Sequence, residues 1–399
     1  MNRFVLPWPP RAVVWAILAF SILPAGLLGE RIVQLLYPPL ALAALLLPAP
    51  AERPRFAFDR GLLWPLLAIF LWGLVSILWT TAPEYAVERW PAALGLTLLT
   101  LATYGAAASA TPGERRLVGR ALTVGFAIGF ALMVSEIVTD AAIYRARYGM
   151  HISPNDAQSE YGRHLMLFAL AAFALANLLP TWARLLPALA VLELSLLFDH
   201  QAGTVGLLAA MGVWLLATWW RSALRGLWTV VLLLALLVSP FQGLLLEHYV
   251  TPRMEDPLRA LLVRQQIWRF AAERALEKPV IGWGFEASER IPNMGELSLQ
   301  NPRPDKRIVS GHPHNVFLQL WLELGIAGVA LGGWFLLRLR DRIATPLAQA
   351  ALAYSLMPAL LSIGLWRPHT LAILCCGIVL YRLLAPGPDS DHRSRGSEA

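Results

Sequence analysis

Two histidines and an asparagine stand together where a long polar stretch runs into an apolar one, at Gly311-His312-Pro313-His314-Asn315. Proline and asparagine are typical of helix starts, so a helix is predicted to begin beside His314. The positive end of a helix dipole disfavours imidazolium, so His314 would be neutral and able to accept a proton as a general base. The same dipole favours a phosphate nearby. His314 is the candidate catalytic residue, and His312 and Asn315 are candidate substrate-binding neighbours.

Arg264 is the second candidate catalytic residue. It lies in an uninterrupted helical stretch at 258–276, which ends before Lys278-Pro279. On that helix Arg264 shares its side with apolar residues, namely Leu261, Trp268, Ala271 and Ala275. A buried arginine needs an anion or a carboxylate partner, because burying it alone is costly. The alternative is a helix at the membrane surface whose arginine reaches lipid headgroups.

Two glycines and two glutamates lie on the predicted membrane helices. Gly325 and Gly328 follow His314 by three and four turns, and small residues at such spacing let helices approach closely. We expect them to pack helices together and so to hold His314 rigidly.

Glu193 and Glu323 are predicted within the membrane, where ionisable groups are rare and usually paired. For Glu323 a structural hydrogen bond and a functional role are both open.

The composition requires a membrane to position these residues. Of the 399 residues 57% are hydrophobic and 15% are charged, and the mean hydropathy is +0.55, which excludes a soluble globular chain. Each long apolar run is able to cross about 30 Å of hydrocarbon. The sequence predicts a single all-α integral membrane domain over 1–399. Twelve spans are predicted, of which 184–199 and 369–384 are short, at 12–28, 31–50, 61–79, 90–111, 117–139, 163–180, 184–199, 202–220, 225–246, 314–337, 344–365 and 369–384.

The distribution of charge predicts the orientation. The net charge of +7 raises nucleic acid as a partner, but in a membrane protein the positions of the cations are more informative. A cytoplasmic N-terminus leaves most arginines of short loops on the inside, and the short outer turns hold chiefly Arg31, Arg89 and Arg367. We therefore predict both termini in the cytoplasm, a retained first span, and membrane lipids rather than nucleic acid as neighbours.

Two predicted outer loops are much longer than the other connections, at 140–162 and 247–313. Long connections in compact proteins are usually functional or disordered. The larger one carries the amphipathic helix 258–276. The tail 385–399 is rich in proline, glycine, serine and charge, and it is predicted to be disordered.

The order His314-Asn315, nine residues, Gly325-x-x-Gly328 is similar to the C-terminal signature of the O-antigen ligases, which share a superfamily with the O-antigen polymerases. Upstream, Arg264, Trp268, Pro279 and Ile281-Gly282-Trp283-Gly284-Phe285 also resemble that superfamily. The specific motifs cover about 264–328. Twelve spans with a large outer loop before the tenth match its layout over the whole chain.

The resemblance implies an inverting glycosyl transfer on the periplasmic face of the bacterial inner membrane. The donor would be a glycan on undecaprenyl pyrophosphate, and the acceptor a sugar hydroxyl of lipid A–core. His314 would deprotonate the acceptor, and Arg264 would hold the leaving pyrophosphate, since a guanidinium binds two phosphate oxygens at once. No Asp-x-Asp or Glu-x-Asp lies in an outer loop, so we expect metal-independent chemistry without a cofactor.

This chain departs from the family at two places. Family members often carry an arginine in the turn between the seventh and eighth spans, and here that turn is Asp199-His200-Gln201-Ala202-Gly203. A second phosphate-binding cation must then come from elsewhere, and Arg147 and Arg163 are the candidates. Trp268 stands where the ligase motif has leucine, so it is a candidate substrate contact and leaves the choice between ligase and polymerase open.

Three alternatives to a ligase remain. A polymerase would use the same chemistry with a growing glycan as acceptor. A transporter would more often show two-fold repeats and broken helices, and neither is predicted here. A non-catalytic scaffold would leave Arg264 and His314 without a role. For the ligase we also expect a deep cavity between helices that is large enough for lipid A.

Overall fold

The computed structural model describes residues 8–48, 58–149, 154–250, 259–292 and 311–385. In these ranges the chain is helical and contains no strand, which confirms the all-α prediction. The first seven helices are α1 Pro10–Gly26, α2 Glu30–Leu46, α3 Arg60–Ser76, α4 Pro83–Ala108, α5 Pro112–Val138, α6 Ala142–Tyr148 and α7 Pro154–Ala176. The other seven are α8 Leu186–Leu197, α9 Gln201–Val238, α10 Gln242–Leu245, α11 Arg259–Glu277, α12 Val316–Arg340, α13 Pro346–Leu361 and α14 Pro368–Leu384.

Every predicted span coincides with a helix. The span predicted at 202–220 and the first part of that predicted at 225–246 lie in α9, whose backbone leaves the helical region at Trp220 (φ −122°, ψ 43°). The second span continues past the end of α9 at Val238 into α10. Within the described ranges five helices are long and apolar enough to cross a membrane, at 60–79, 83–108, 112–138, 201–249 and 316–340, and four further apolar helices are shorter. The chain is therefore a multi-pass helical membrane protein, and the count of twelve spans remains a prediction.

The helix α7 forms the centre of the bundle. From His164 to Ala176 every one of its residues is buried. A helix that is apolar on all sides is stable only when other helices surround it. The helices α14, α8 and α13 pack against it. Elsewhere in the bundle, α3 and α12 pack against each other and lie antiparallel. Asp59 before α3 pairs with Arg342 after α12 (2.6 Å), while Ser76 at the far end of α3 accepts a hydrogen bond from the Phe285 amide (3.0 Å).

The first long predicted loop contains more helix than expected, and the larger one contains the helix that was predicted. In 140–162, α6 and the first turns of α7 are helical, so α7 begins nine residues before the predicted start at 163. The buried Glu136 carboxylate accepts the Ile143 and Tyr144 amides (2.7 and 3.0 Å) and so caps α6. In the larger loop, α11 lies within one residue of the predicted helix 258–276. Two further parts of that loop, 251–258 and 293–310, and the tail 386–399 lie outside the described residues.

A break at Gly325 interrupts α12. Its φ of 62° and ψ of −162° are allowed only for glycine. The loop that follows α11 fills the break with backbone hydrogen bonds from the Trp283 amide to the Leu322 carbonyl (2.9 Å) and from the Ile326 amide to the Pro279 carbonyl (2.8 Å). The expectation that this chain has no broken helix was therefore wrong.

The same break changes the role predicted for the glycines. A Cβ on Gly325 would lie 2.4 Å from the Val280 carbonyl oxygen, and one on Gly282 would lie 2.3 Å from the Glu323 carbonyl oxygen. Gly325 thus admits a loop backbone rather than another helix. At Gly328 the nearest atoms belong to Leu324 of the same helix. The structure therefore differs from the predicted helix–helix packing at Gly325, because the break depends on a segment over 40 residues away in sequence, and for Gly328 helix packing stays a prediction.

Candidate active site

His314 lies just before α12 in a strained conformation with one ring nitrogen held. Its φ is 54°, in the left-handed region that non-glycine residues rarely adopt. Its Nδ1 lies 3.0 Å from the Ser362 carbonyl oxygen. A carbonyl only accepts, so Nδ1 carries the proton in this hydrogen bond. In the neutral ring Nε2 then has a free lone pair, as a general base requires.

His312 closes the turn that leads to His314. The His314 amide donates to His312 Nδ1 (3.0 Å), and the two rings lie 4.3 Å apart between centroids. Behind His312 there is no space for a side chain on Gly364, whose Cβ would lie 2.8 Å from the ring. His312 therefore fixes the turn that presents His314.

Arg264 reaches the same turn from α11. Its Nε donates to the carbonyl oxygen of Leu361 (2.9 Å), and Leu361 is the residue before Ser362. These are end carbonyls of α13, which lack a partner within the helix. The half-buried guanidinium thus bonds inside the protein through Nε, and the alternative of an arginine that reaches lipid headgroups stays open. Among the described residues, Arg264 has no carboxylate partner, and its two Nη atoms have no hydrogen-bond partner.

Two further predicted site residues act as supports. Trp268 is 3% exposed and donates from Nε1 to the Pro313 carbonyl oxygen (3.0 Å). Asn315 is fully buried and accepts the Phe317 and Leu318 amides (2.9 and 3.0 Å), which makes it the N-cap of α12 as predicted. Both side chains are engaged inside the protein, so their contacts position the histidine turn.

The surroundings keep both histidines neutral. Burial lowers the pKa of His314 most. The hydrogen bond to Ser362 raises this pKa, and the charges of Arg264, Arg367 and Arg163 lower it. Burial also holds the pKa of His312 well below its usual range. A neutral imidazole agrees with the expectation from the helix start, although burial rather than the dipole is the largest cause.

Of the two candidates for a second cation, the structure brings one to the site. Arg163 lies close enough to His314 and His312 to interact with both rings electrostatically. Arg147 pairs with Glu160 (3.7 Å) and lies over the Tyr148 ring at 4.5 Å. Among the described residues it has no contact with the histidine turn, and it holds the α6–α7 region instead.

An ionic network that the sequence reasoning missed adjoins the histidine turn. Arg89 binds Glu286 (2.8 Å) and Glu289 (2.6 Å), and Glu289 also binds Arg367 (2.8 Å). A Cβ on Gly311 would collide with the Arg367 guanidinium, so this network contacts the turn directly. One signal was present in the sequence, because Arg89 and Arg367 are among the few cations on the predicted outer turns.

Glu323 joins this network to the bundle. The carboxylate is fully buried and accepts from the Glu286 amide (3.1 Å), Ser288 Oγ, Gln319 Nε2 (3.0 Å) and Trp366 Nε1 (2.7 Å). Both of its oxygens are therefore used. Of the two roles left open for Glu323, these contacts favour the structural one.

His200 was also missed as a neighbour of Arg264. Its ring packs against Gly162 and Gly203, where a Cβ would lie 2.7 and 2.2 Å from ring atoms. Burial and then the charge of Arg264 lower the pKa of His200 to about 4. The signal available in the sequence was the position of His200 in the turn between the seventh and eighth spans, where family members often carry an arginine. Within the described residues no cluster of three or more His, Cys, Asp or Glu could hold a metal ion, and metal independence remains a prediction.

A cavity of about 450 Å³ lies between α3, α4, α12, α13 and α14. Its lining begins with Val316 and Phe317 beside the site and extends to Leu339 and Arg342 near the other end of α12. An apolar cavity of about 150 Å³ holds one benzene ring, so this one has room for roughly 18 carbon atoms. That is one hydrocarbon chain, and the cavity does not form the predicted space for a whole lipid A.

The fold and the site together define a multi-pass helical membrane protein with a histidine–arginine centre at one end of the bundle. Residues 188–332 match the family model described as O-antigen ligase. The resemblance to this family is therefore confirmed over that region, which contains both Arg264 and His314.

Rickettsial proteins described as candidate polysaccharide ligases are similar to this chain. The protein of Rickettsia typhi is 29% identical over 142 residues, which is 35% of each chain. Those of Rickettsia prowazekii and Rickettsia conorii are 41% and 39% identical over 66 residues, 16% of each chain. The matches thus span about a third or less of these relatives.

Proposed function

We propose that this protein is a membrane-embedded glycosyltransferase of the O-antigen ligase type. It transfers a glycan from undecaprenyl pyrophosphate to a sugar hydroxyl of lipid A–core, on the periplasmic face of the bacterial inner membrane and with both termini in the cytoplasm. One observation carries the proposal: His314 and Arg264 bind the consecutive carbonyls of Ser362 and Leu361. A proton acceptor and a phosphate-binding cation are thereby held side by side.

In the proposed reaction His314 Nε2 takes the proton of the acceptor hydroxyl. The hydroxyl oxygen attacks the anomeric carbon of the donor sugar while the bond from that carbon to the pyrophosphate oxygen breaks, which inverts the configuration. The pyrophosphate leaves with the electron pair of that bond. Arg264 presents to this developing charge two Nη atoms that have no partner among the described residues, and a preorganised cation there stabilises the transition state. No cofactor takes part.

The test is transfer in living cells. We would express the chain in a ligase-deficient Gram-negative host that makes a compatible O-antigen, and separate its lipopolysaccharide on a gel. Wild type should restore a high-mass ladder, which His314→Ala and Arg264→Ala should lose at unchanged protein level. His248→Ala and Arg269→Ala are matched controls, because both side chains are exposed and Arg269 pairs with Glu247 on the same face.

A polymerase is the second candidate, because Trp268 in place of the ligase leucine leaves the choice between ligase and polymerase open. If wild type restores no ladder but extends single-repeat glycans in a polymerase-deficient host, the acceptor is a growing glycan. A ladder that survives His314→Ala would exclude His314 as the base in either reaction.

A further inference from the structure

The large cavity between α3, α4, α12, α13 and α14 has no part in the proposed reaction. Its volume of about 450 Å³ has room for one hydrocarbon chain. The lining is apolar apart from a few hydroxyls and the guanidinium of Arg342, which pairs with Asp59 (2.6 Å). Side chains around an empty apolar space lose van der Waals contacts, so an apolar molecule that fills the cavity stabilises the bundle.

The cavity is closed toward the candidate site. Phe317, Ile363 and Trp366 form its wall at that end, and all three side chains are buried. Trp366 is also held in place by its hydrogen bond to Glu323 (2.7 Å). A chain that entered from the side of His314 would have to displace this wall, so the cavity is separate from the candidate site.

The wall is open toward the opposite end of the bundle. Ile378 of α14 lines the cavity and is 45% exposed, and an exposed apolar side chain on a membrane protein contacts lipid. Arg382 follows Ile378 by one turn of the same helix. In the proposed orientation this end lies in the cytoplasmic leaflet, so hydrocarbon of that leaflet has access to the cavity.

Arg382 is a cation without an anion at this opening. Its guanidinium lies over the ring of Tyr104 at 5.4 Å, and both Tyr104 and the neighbouring Tyr381 line the cavity. Within the described parts of the chain Arg382 has no carboxylate partner, and its Nε is buried without a hydrogen-bond partner. A guanidinium binds two phosphate oxygens at once, so a phosphate would satisfy it.

We propose that the cavity binds one acyl chain of an anionic phospholipid whose phosphate binds Arg382. Such a lipid supplies hydrocarbon for the cavity and negative charge for the guanidinium. Its second acyl chain would remain in the bilayer beside Ile378. A zwitterionic phospholipid would bind less tightly, because its ammonium group brings a positive charge near Arg382. This lipid is not a substrate, and its binding requires no glycan transfer.

The first experiment measures lipid binding to the full chain in detergent by native mass spectrometry. Wild type should bind one dioleoyl phosphatidylglycerol roughly tenfold more tightly than dioleoyl phosphatidylethanolamine. Arg382→Gln should abolish this preference, because the loss of a hydrogen bond to a charged group corresponds to about tenfold in affinity. Arg116→Gln is the matched control, since it removes an exposed cation at the same end of the bundle and should keep the preference. A preference that survives Arg382→Gln would place the headgroup elsewhere and overturn the assignment.

A second pair of variants tests the place of the acyl chain. Ala351 lines the cavity, so Ala351→Phe fills part of it and should abolish phosphatidylglycerol binding. Gly212→Phe adds the same ring where a Cβ meets nothing within 4 Å, and it should bind the lipid as wild type does. Thermal unfolding without added lipid shows whether Ala351→Phe is folded. If the folded variant binds phosphatidylglycerol with wild-type affinity, the chain does not lie in the cavity.

A direct readout on the wild-type protein does not depend on any variant. A phosphatidylglycerol with a photoactivatable group on its acyl chain is bound in nanodiscs, and the labelled peptides are identified by mass spectrometry. Labels within 348–359 and 371–378 support the cavity, whereas labels confined to the exposed face of α9 at 205–219 would overturn it.

Undecaprenyl phosphate as a competitor separates this inference from the proposed function. If it displaces the label from the cavity, a lipid of the donor type occupies that space; the phospholipid assignment then fails and the proposed function stands. A cavity that is labelled despite this competitor, in a protein that restores no ladder, would support the phospholipid site and count against the proposed function.

Discussion

Glu323→Leu should be among the most destabilising single substitutions in this protein. The carboxylate accepts four hydrogen bonds, and all four donors are placed around a fully buried side chain. Leucine removes every acceptor at once. A buried donor without a partner costs about 1–3 kcal/mol, so the loss is about 4–12 kcal/mol. This range is comparable with the whole stability of about 5–15 kcal/mol that proteins have.

Glu323→Gln should cost less, about 2–6 kcal/mol. The amide keeps one oxygen. If its nitrogen faces Ser288 and Gln319, the Ser288 hydroxyl can turn and accept one N–H, whereas the Gln319 amide loses its acceptor because its own oxygen already accepts from the Leu365 amide (2.8 Å). The second N–H of the new amide also lacks an acceptor, so two unsatisfied donors remain instead of four.

The assay is denaturant unfolding in detergent, followed by tryptophan fluorescence, together with the yield of folded protein. Glu193→Gln is the control, because Glu193 is exposed on α8 and has no hydrogen-bond partner within the described ranges. It should stay within about 0.5 kcal/mol of wild type. A Glu323→Leu protein that unfolds within about 1 kcal/mol of wild type would refute the reasoning from hydrogen bonds. Equal losses for Leu and Gln would show that the charge, and not the number of acceptors, matters.

Three further predictions concern the same region. Gly325→Ala should cost at least about 1–3 kcal/mol in thermal unfolding, because the φ is 62° and the new Cβ meets a carbonyl oxygen, whereas Gly212→Ala in α9 has open space and should not destabilise. Arg367→Gln removes a positive charge that lowers the pKa of His314, so the acidic limb of the pH–rate profile should move to higher pH. Burial and then the charge of Glu323 raise the pKa of Glu286, against the charges of Arg89 and Arg367, so the folded protein holds a proton there more tightly than the unfolded chain does. This contribution to stability should be lost as pH rises above the usual range of a glutamate, and Glu286→Gln should flatten the decline in denaturant titrations.

The parts of the fold that could be predicted depend on local chemistry. Runs of apolar residues predict the helices, since each run must satisfy its own backbone hydrogen bonds in a membrane. The start of α12 was predicted from Asn315, whose side chain does cap the helix. The amphipathic pattern predicted α11 to within one residue at each end and placed Arg264 on its buried side. In each case the residues that decide the structure are neighbours in sequence.

The parts that could not be predicted depend on contacts between distant segments. The break at Gly325 requires the backbone of 279–284 beside it, and nothing near Gly325 shows that this loop docks there. Arg89 and Glu286 are 197 residues apart in the chain. The partner of Arg264 was expected to be an anion or a carboxylate, and it is a backbone carbonyl, which any residue at that position would supply. Side-chain patterns carry no information about such a partner.

The end of α13 is the element that joins the two candidate catalytic residues. Both the Ser362 and the Ile363 amides bond to the Pro358 carbonyl (2.8 and 3.0 Å), which tightens the chain as the helix ends. The tight turn directs two consecutive carbonyls toward two segments that are 50 residues apart in sequence. Because the base and the phosphate-binding cation are both hydrogen-bonded to this turn, a shift of the turn moves both together and preserves the distance between them. A reaction in which one group removes a proton while another receives a leaving group needs that distance constant more than it needs either group fixed in space.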